Sequence, residues 1–383
     1  MKKKLVSMFM TVSMVSALLA GCGSTAATTA SSSAGTGAAV SSVAAAQEDA
    51  AAAGSNAVAT AAAASTGSVK GKTFGIIIRA AGNPYAEKEA QGFKEVIEAA
   101  GATCIVKEPE TATADAQIPM IQSLISQKVN SIAIASNDVN ALTASLQEAM
   151  KAGIKVSTLD SNVVPQARQV FVNQAGTNEI GQALMDAVLD ISGGSGDWAI
   201  LSASSQSANQ NAWIDAMKKI MKDSKYSKLN LLEVAYGDDE PQKSTDQTQA
   251  LLSKYPNLKV ICSPTTVGIS AAAKVLQDQK SKVKLTGLGL PSEMSEYIGT
   301  DAEHSCPYMF LWNPEDVGKL SAYTSIALVS GTITGKKGET FKAGDMTSSP
   351  YTIGACSDGG TEVILGPPYK FDPSNITKWK EVY

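Results

Sequence analysis

Histidine is nearly absent from this chain: His304 is the only one in 383 residues. That argues against a His-based nucleophilic triad and against a His-rich metal site. Cysteine is sparse too. Cys22, Cys104, Cys262, Cys306 and Cys356 form no Cys-x-x-Cys pair. Disulfides among the last four are open outside a cell, but a core this large does not need them. Most of the four are expected to be small buried apolar residues. No Lys/Arg run follows Lys2-Lys3-Lys4, and the net charge is -4, so a nucleic-acid partner is not expected. After the first twenty residues no apolar run is long enough to span a bilayer. No Gly-x-Ser-x-Gly, Gly-rich phosphate loop or metal-ligand cluster occurs, so neither a cofactor nor a metal is expected.

What is present begins at the amino end. Three lysines precede an apolar stretch, Leu5 to Ala20, and then Leu19-Ala20-Gly21-Cys22. A basic start, a short apolar core and small residues before a cleavage point describe a secretory signal peptide. The Leu-Ala-Gly-Cys ending resembles the lipobox of bacterial lipoproteins, which implies lipidation of Cys22 and an extracytoplasmic, membrane-anchored protein. A single-membrane bacterium is the expected source. Residues 23–68 are mostly Ala, Ser, Thr and Gly and carry no apolar face that could bury a core. As a flexible coil they form a tether with an end-to-end distance of roughly 35–40 Å.

From Val69 the pattern alternates. Phe74-Gly75-Ile76-Ile77-Ile78 reads as a buried strand, and Asn83-Pro84 opens a helix through Ala99. Strands are expected near 102–107, 130–135, 154–158, 169–173, 197–202, 230–235, 258–262, 283–288 and 305–312. Helices are expected near 114–128, 140–151, 176–191, 206–223, 242–255, 267–279 and 313–330. Continuous apolar strands between amphipathic helices indicate α/β architecture with parallel sheets covered on both faces. The count exceeds one small sheet. A break near Asn173-Gln174-Ala175-Gly176 divides it into two doubly wound units, with a cleft between the carboxyl ends of their strands.

The residues after each strand therefore carry the functional reading. Arg79, Asn83 and Tyr85 follow the first strand, and Asp138 and Asp160 follow later ones. In the second half come Asn209 and Gln210, then Pro264 and Thr266, then Leu290, then Trp312 and Asn313. Guanidinium, carboxylate and amide groups offer paired donors or acceptors that match adjacent sugar hydroxyls. An aromatic face covers the apolar side of a pyranose. Each residue also has a local reading: a strand-end Asp or Asn serves as a helix N-cap, Asp138 above all. Arg79 directly after three isoleucines needs a partner if buried, and Asp160 is the natural one.

Several strings carry a family likeness: Ala208-Asn209-Gln210-Asn211-Ala212-Trp213, Tyr255-Pro256-Asn257-Leu258-Lys259, Ser263-Pro264-Thr265-Thr266-Val267-Gly268, Gly287-Leu288-Gly289-Leu290-Pro291-Ser292-Glu293-Met294 and Leu311-Trp312-Asn313-Pro314. The chain from about 73 to 383 resembles the ribose-type sugar receptors of bacterial ABC importers. Within them the likeness is to rhamnose-binding receptors and to relatives that bind autoinducer-2. The resemblance implies a type I periplasmic binding protein fold, two lobes joined by a three-strand hinge. The first lobe would comprise 69–174 and 312–345, the second 175–311 and 346–383. It also implies ligand contacts at Arg79, Asp160, Asn209, Gln210 and Pro264. In the autoinducer-2 receptors a Lys stands at the position of Arg79 and an Asp at that of Asn209, and in ribose-type receptors an Asp often stands at that of Gly289.

The function expected is capture of a sugar, rhamnose first, by lobe closure and its delivery to an ABC permease. The protein would act as a monomer. Autoinducer-2 or another deoxyhexose or pentose is the alternative ligand, and sensing for a kinase or chemoreceptor the alternative role. Glycoside hydrolysis by Asp138 and Asp160 is the enzymatic alternative. It is disfavoured because a cation beside both carboxylates would lower rather than raise their pKa.

Overall fold

The computed structural model describes residues 69–383. The signal peptide, Cys22 and the tether lie outside the described residues. The first lobe opens with β1 (Thr73–Ile77), α1 (Pro84–Ala99), β2 (Thr103–Lys107), α2 (Ala114–Ser126), β3 (Ser131–Ile134), α3 (Thr143–Lys151), β4 (Lys155–Leu159) and β5 (Val170–Asn173). The second lobe follows with α4 (Thr177–Ile191), β6 (Gly196–Ser202), α5 (Ala208–Ile220), β7 (Leu229–Tyr236), α6 (Pro241–Lys254), β8 (Leu258–Ser263), α7 (Thr266–Asp278), β9 (Lys284–Gly287), α8 (Pro291–Met294) and β10 (Met309–Leu311). The chain ends with α9 (Pro314–Ser330), β11 (Thr340–Phe341), β12 (Tyr351–Thr352), β13 (Gly354–Ala355), β14 (Thr361–Ile364), β15 (Tyr369–Phe371) and α10 (Ile376–Trp379).

Two sheets organise the molecule. The first runs β13-β14-β5-β4-β3-β1-β2 and the second β7-β6-β8-β9. All their pairings are parallel except β13 with β14. The central strands β1 and β3 are apolar and buried because helices cover both faces. A bridge from Leu288 to Phe310 extends the second sheet toward β10, which pairs antiparallel with β15. In each lobe the order reverses beside the first strand, between β1 and β3 and between β6 and β8. Ligands of open α/β sheets bind at such switch points.

Local chemistry fixes the helices around the cleft. Asn83 caps α1 by accepting from Ala86 N–H, and Pro84 supplies a preset φ at the first helical position. Helix α9 is buried on most of its circumference and packs on α1, β3, β4 and β5. Two glycines permit that contact. A Cβ at Gly92 would lie 2.1 Å from the Glu315 carbonyl oxygen, and one at Gly318 would lie 2.0 Å from that of Glu89. Only glycine lets the two backbones come so close.

The division of the tail differs from expectation. Residues 346–383 were expected on the second lobe, yet β14 pairs in parallel with β5 of the first, with Val363 opposite Val172. The β5 edge is apolar, and the Thr361–Ile364 strand covers it. The chain thus passes between lobes at 174–176, 312–313 and 365–368, and only β15 and α10 belong to the second lobe. The cysteines differ in part as well. Cys262 and Cys306 are buried, whereas Cys104 and Cys356 are half-buried, and all four are free thiols.

Candidate functional site

Both lobes meet at a small cavity of about 30 Å³. Three helices begin there. Asn83 and Tyr85 come from the start of α1, Gln210 and Trp213 from the first turns of α5, and Thr265 and Thr266 from the start of α7. Their amino ends direct N–H groups and partial positive charge toward the cleft.

Arg79 crosses the cleft. Its Nη2 lies 3.1 Å from Asp239 Oδ2 and donates to Ser207 Oγ at 3.1 Å, while Nη1 donates to Asn209 Oδ1 at 3.5 Å. Asp239 also accepts from the Thr265 hydroxyl. The expected Arg79–Asp160 ion pair is not what forms. Asp160 Oδ1 accepts from Gln174 Nε2 at 3.2 Å and from the Tyr85 hydroxyl at 3.4 Å, and Oδ2 accepts from Asn209 Nδ2 at 3.1 Å. Neutral donors thus surround Asp160 and leave the guanidinium to Asp239. Asp160 sits at φ 55°, with Ser161 N–H bonded to the Leu159 carbonyl across it. This left-handed γ-turn is sparsely populated for a non-glycine residue and aims the carboxylate into the cleft.

The electrostatics reverse another expectation. Burial pushes the Asp160 carboxyl up to about 6, against the lowering effect of Arg79 and with further repulsion from Asp239. Beneath it Glu89 is fully buried, and neither of its carboxyl oxygens has a hydrogen-bond partner. Burial, reinforced by Asp160, holds Glu89 well above the usual carboxylate range. The result is a pocket with one firm cation–anion pair and further carboxyls biased toward neutrality. Such a pocket suits an uncharged polyol.

One side of the cavity is apolar. Trp213 and Trp312 meet edge to face, with centroids 5.8 Å apart, beside Pro264, Leu288 and Leu311. Trp312 Nε1 donates to the Tyr85 hydroxyl at 2.6 Å. Two polar atoms in the cavity walls, Arg79 Nε and Gln210 Oε1, are buried with no partner in the protein.

Of the twelve sequence-derived residues, Arg79, Asn83, Tyr85, Asp160, Gln210, Pro264, Thr266 and Trp312 line the cavity. Asn209 touches it through Arg79 and Asp160. Three do not line it. Asp138 accepts from the backbone N–H groups of Asn140 and Ala141, closing a turn. Asn313 caps α9 by accepting from Glu315 N–H. Leu290 is wholly buried ahead of α8. The neighbour of Asp138, Asn137, instead donates to the Arg79 carbonyl at 2.8 Å. Sequence reasoning missed Asp239, Trp213, Leu288 and Leu311, while Thr265, at the same strand end as Pro264 and Thr266, also lines the cavity. Asp239 follows the β7 strand end in Gly237-Asp238-Asp239-Glu240, so the strand-end rule points to it once applied there.

The periplasmic binding protein domain family matches residues 74–333. The chain belongs to the periplasmic binding protein family. A solute-binding protein of an ABC transporter from Clostridium phytofermentas, solved with bound L-rhamnose, is 61% identical over 82% of this chain and 99% of that one, with a TM-score of 0.81. A sugar ABC transporter protein from Actinomyces odontolyticus is 37% identical over 80% of this chain and 97% of that one, with a TM-score of 0.64. LsrB from Clostridium saccharobutylicum in complex with AI-2 is 21% identical over 80% of this chain and 99% of that one, with a TM-score of 0.73, a likeness of fold. As a periplasmic binding protein the chain is a substrate-binding protein and not an enzyme. Among the described residues no helix is long and apolar enough to cross a membrane.

Proposed function

We propose that this periplasmic binding protein captures L-rhamnose by lobe closure and delivers it to an ABC permease, held at the membrane through lipidated Cys22. The 61% identical relative with L-rhamnose bound carries the choice of sugar. The site agrees with it in chemistry. Unpartnered Arg79 Nε and Gln210 Oε1 offer a donor and an acceptor to hydroxyls, and the indole pair offers an apolar face. Because Arg79, Asp160 and Tyr85 come from one lobe and Gln210, Pro264 and Thr266 from the other, a sugar touching both sets favours the closed form. No group in the site needs to react for this cycle.

A thermal-shift screen with calorimetry tests the reading. L-rhamnose at 100 times its dissociation constant adds about 2.7 kcal/mol to the stability of the folded chain. Asp160→Ala is expected to abolish tight binding while the chain stays folded. Absence of any shift with millimolar L-rhamnose, or wild-type affinity in Asp160→Ala, overturns the reading. A shift with autoinducer-2 alone transfers it to that signal.

A further inference from the structure

The apolar side of the cavity is built more specifically than ring stacking requires. Leu288 leaves β9 and bridges to Phe310, the residue before Leu311 at the end of β10; Trp312 follows, and Leu288, Leu311 and Trp312 all line the cavity. Trp213 closes the group edge-on against Trp312. All four are buried, from 1% to 3% exposed. The nearby donors are already engaged: Leu288 N–H with the Ser263 carbonyl at 2.9 Å, and Trp312 Nε1 with the Tyr85 hydroxyl. The cavity-wall polar atoms left without a partner are Arg79 Nε and Gln210 Oε1, neither of which belongs to this apolar group.

We propose that Leu288, Leu311, Trp213 and Trp312 form a seat for the C6 methyl group of a 6-deoxyhexose and set the preference for a deoxy sugar over its 6-hydroxy parent. This rests on the sugar-receptor reading above. A methyl placed there leaves water for an apolar wall. A hydroxymethyl placed there must bury its hydroxyl beside donors already committed elsewhere, and a buried hydroxyl without a partner is costly. The ring hydroxyls then have the unpartnered Arg79 Nε and Gln210 Oε1 to bond. An added hydroxyl in an apolar pocket is typically disfavoured by roughly tenfold to a hundredfold.

The test is calorimetry of the full chain against matched pairs: L-rhamnose with L-mannose, L-fucose with L-galactose, and D-fucose with D-galactose. The expected result is that the deoxy member of the bound pair binds at least about tenfold tighter than its parent. In Leu288→Thr, or in Leu311→Ala if the first variant melts early, that ratio is expected to narrow toward unity. L-mannose binding as tightly as L-rhamnose overturns the methyl seat and leaves the rhamnose receptor standing. Preference for a fucose over its galactose with no binding of L-rhamnose retains the seat and removes the rhamnose reading. An unchanged ratio in a folded variant, or no binding by any pair, overturns the proposal.

Discussion

The two lobes share a plan and divide the chemistry unequally. The order β2-β1-β3-β4-β5 in the first matches β7-β6-β8-β9 in the second, each with its switch point facing the cleft. Yet the first lobe brings Arg79, Asp160, Tyr85 and the buried Glu89, all ionisable. The second brings Gln210, Trp213, Pro264, Thr265, Thr266 and Leu288, with Asp239 its one charge in the cavity wall. The shared topology dictates where a ligand sits. The residues placed on its strand ends decide which ligand it is.

The division is sharpened most by Arg79→Met. That change leaves Asp239 buried opposite no cation, and breaking a buried pair in this way costs about 3–5 kcal/mol. Urea unfolding measures it. Asp239→Asn is expected to cost less, because Arg79 keeps Ser207 and Asn209. Equal losses in the two variants would show that the lobes depend on the pair symmetrically.

A second contrast lies in helix packing. Gly318→Ala puts a methyl against a backbone oxygen 2.0 Å away, which cannot yield, and overpacking of this kind costs about 1–3 kcal/mol. Gly181→Ala in the second lobe puts a methyl 2.8 Å from the Ala216 Cβ, which also cannot move without its backbone, but the overlap is smaller than at Gly318. The gain in helix propensity, up to about 1 kcal/mol, is the same in both variants, so the difference between them reads the overlap. Thermal melting is expected to fall for both variants and further for the first. Matching losses would break the contrast.

A further contrast is the pH dependence that Asp160 contributes from the first lobe. The carboxyl of Asp160 is raised to about 6 in the folded chain from 3.8, so the folded state holds more protons across that interval. Its contribution to stability is complete below about 4 and is lost as pH rises through about 6. The stability difference between wild type and Asp160→Asn is therefore expected to shift against wild type from pH 4 to 6 and then level off. A difference independent of pH would place the burial penalty elsewhere.

Most of the alternation was legible because buried parallel strands are continuous β-branched runs, as in Phe74 to Ile78 and Ser131 to Ile134. The site was legible where a side chain has no local use: Arg79 after three isoleucines has only a distant partner to find. Asp138 and Asn313 lie off the cavity, where a nearby N–H takes up the side-chain oxygen. Trp213 and Leu311 look like core residues in sequence, because an apolar cavity wall and a core are made of the same side chains. The Thr361–Ile364 strand is too short to announce which sheet it joins.

That strand has a consequence for biogenesis. Phe171 in β5 finds its partner at Glu362, and the face of β3 and β4 is covered by a helix that begins at Pro314. The first lobe is therefore the first to be made and among the last to be finished. A chain emerging amino end first carries an open parallel edge and an uncovered sheet face until nearly all of it has been delivered. Pairings so far apart in sequence close slowly and leave unfinished chains prone to associate.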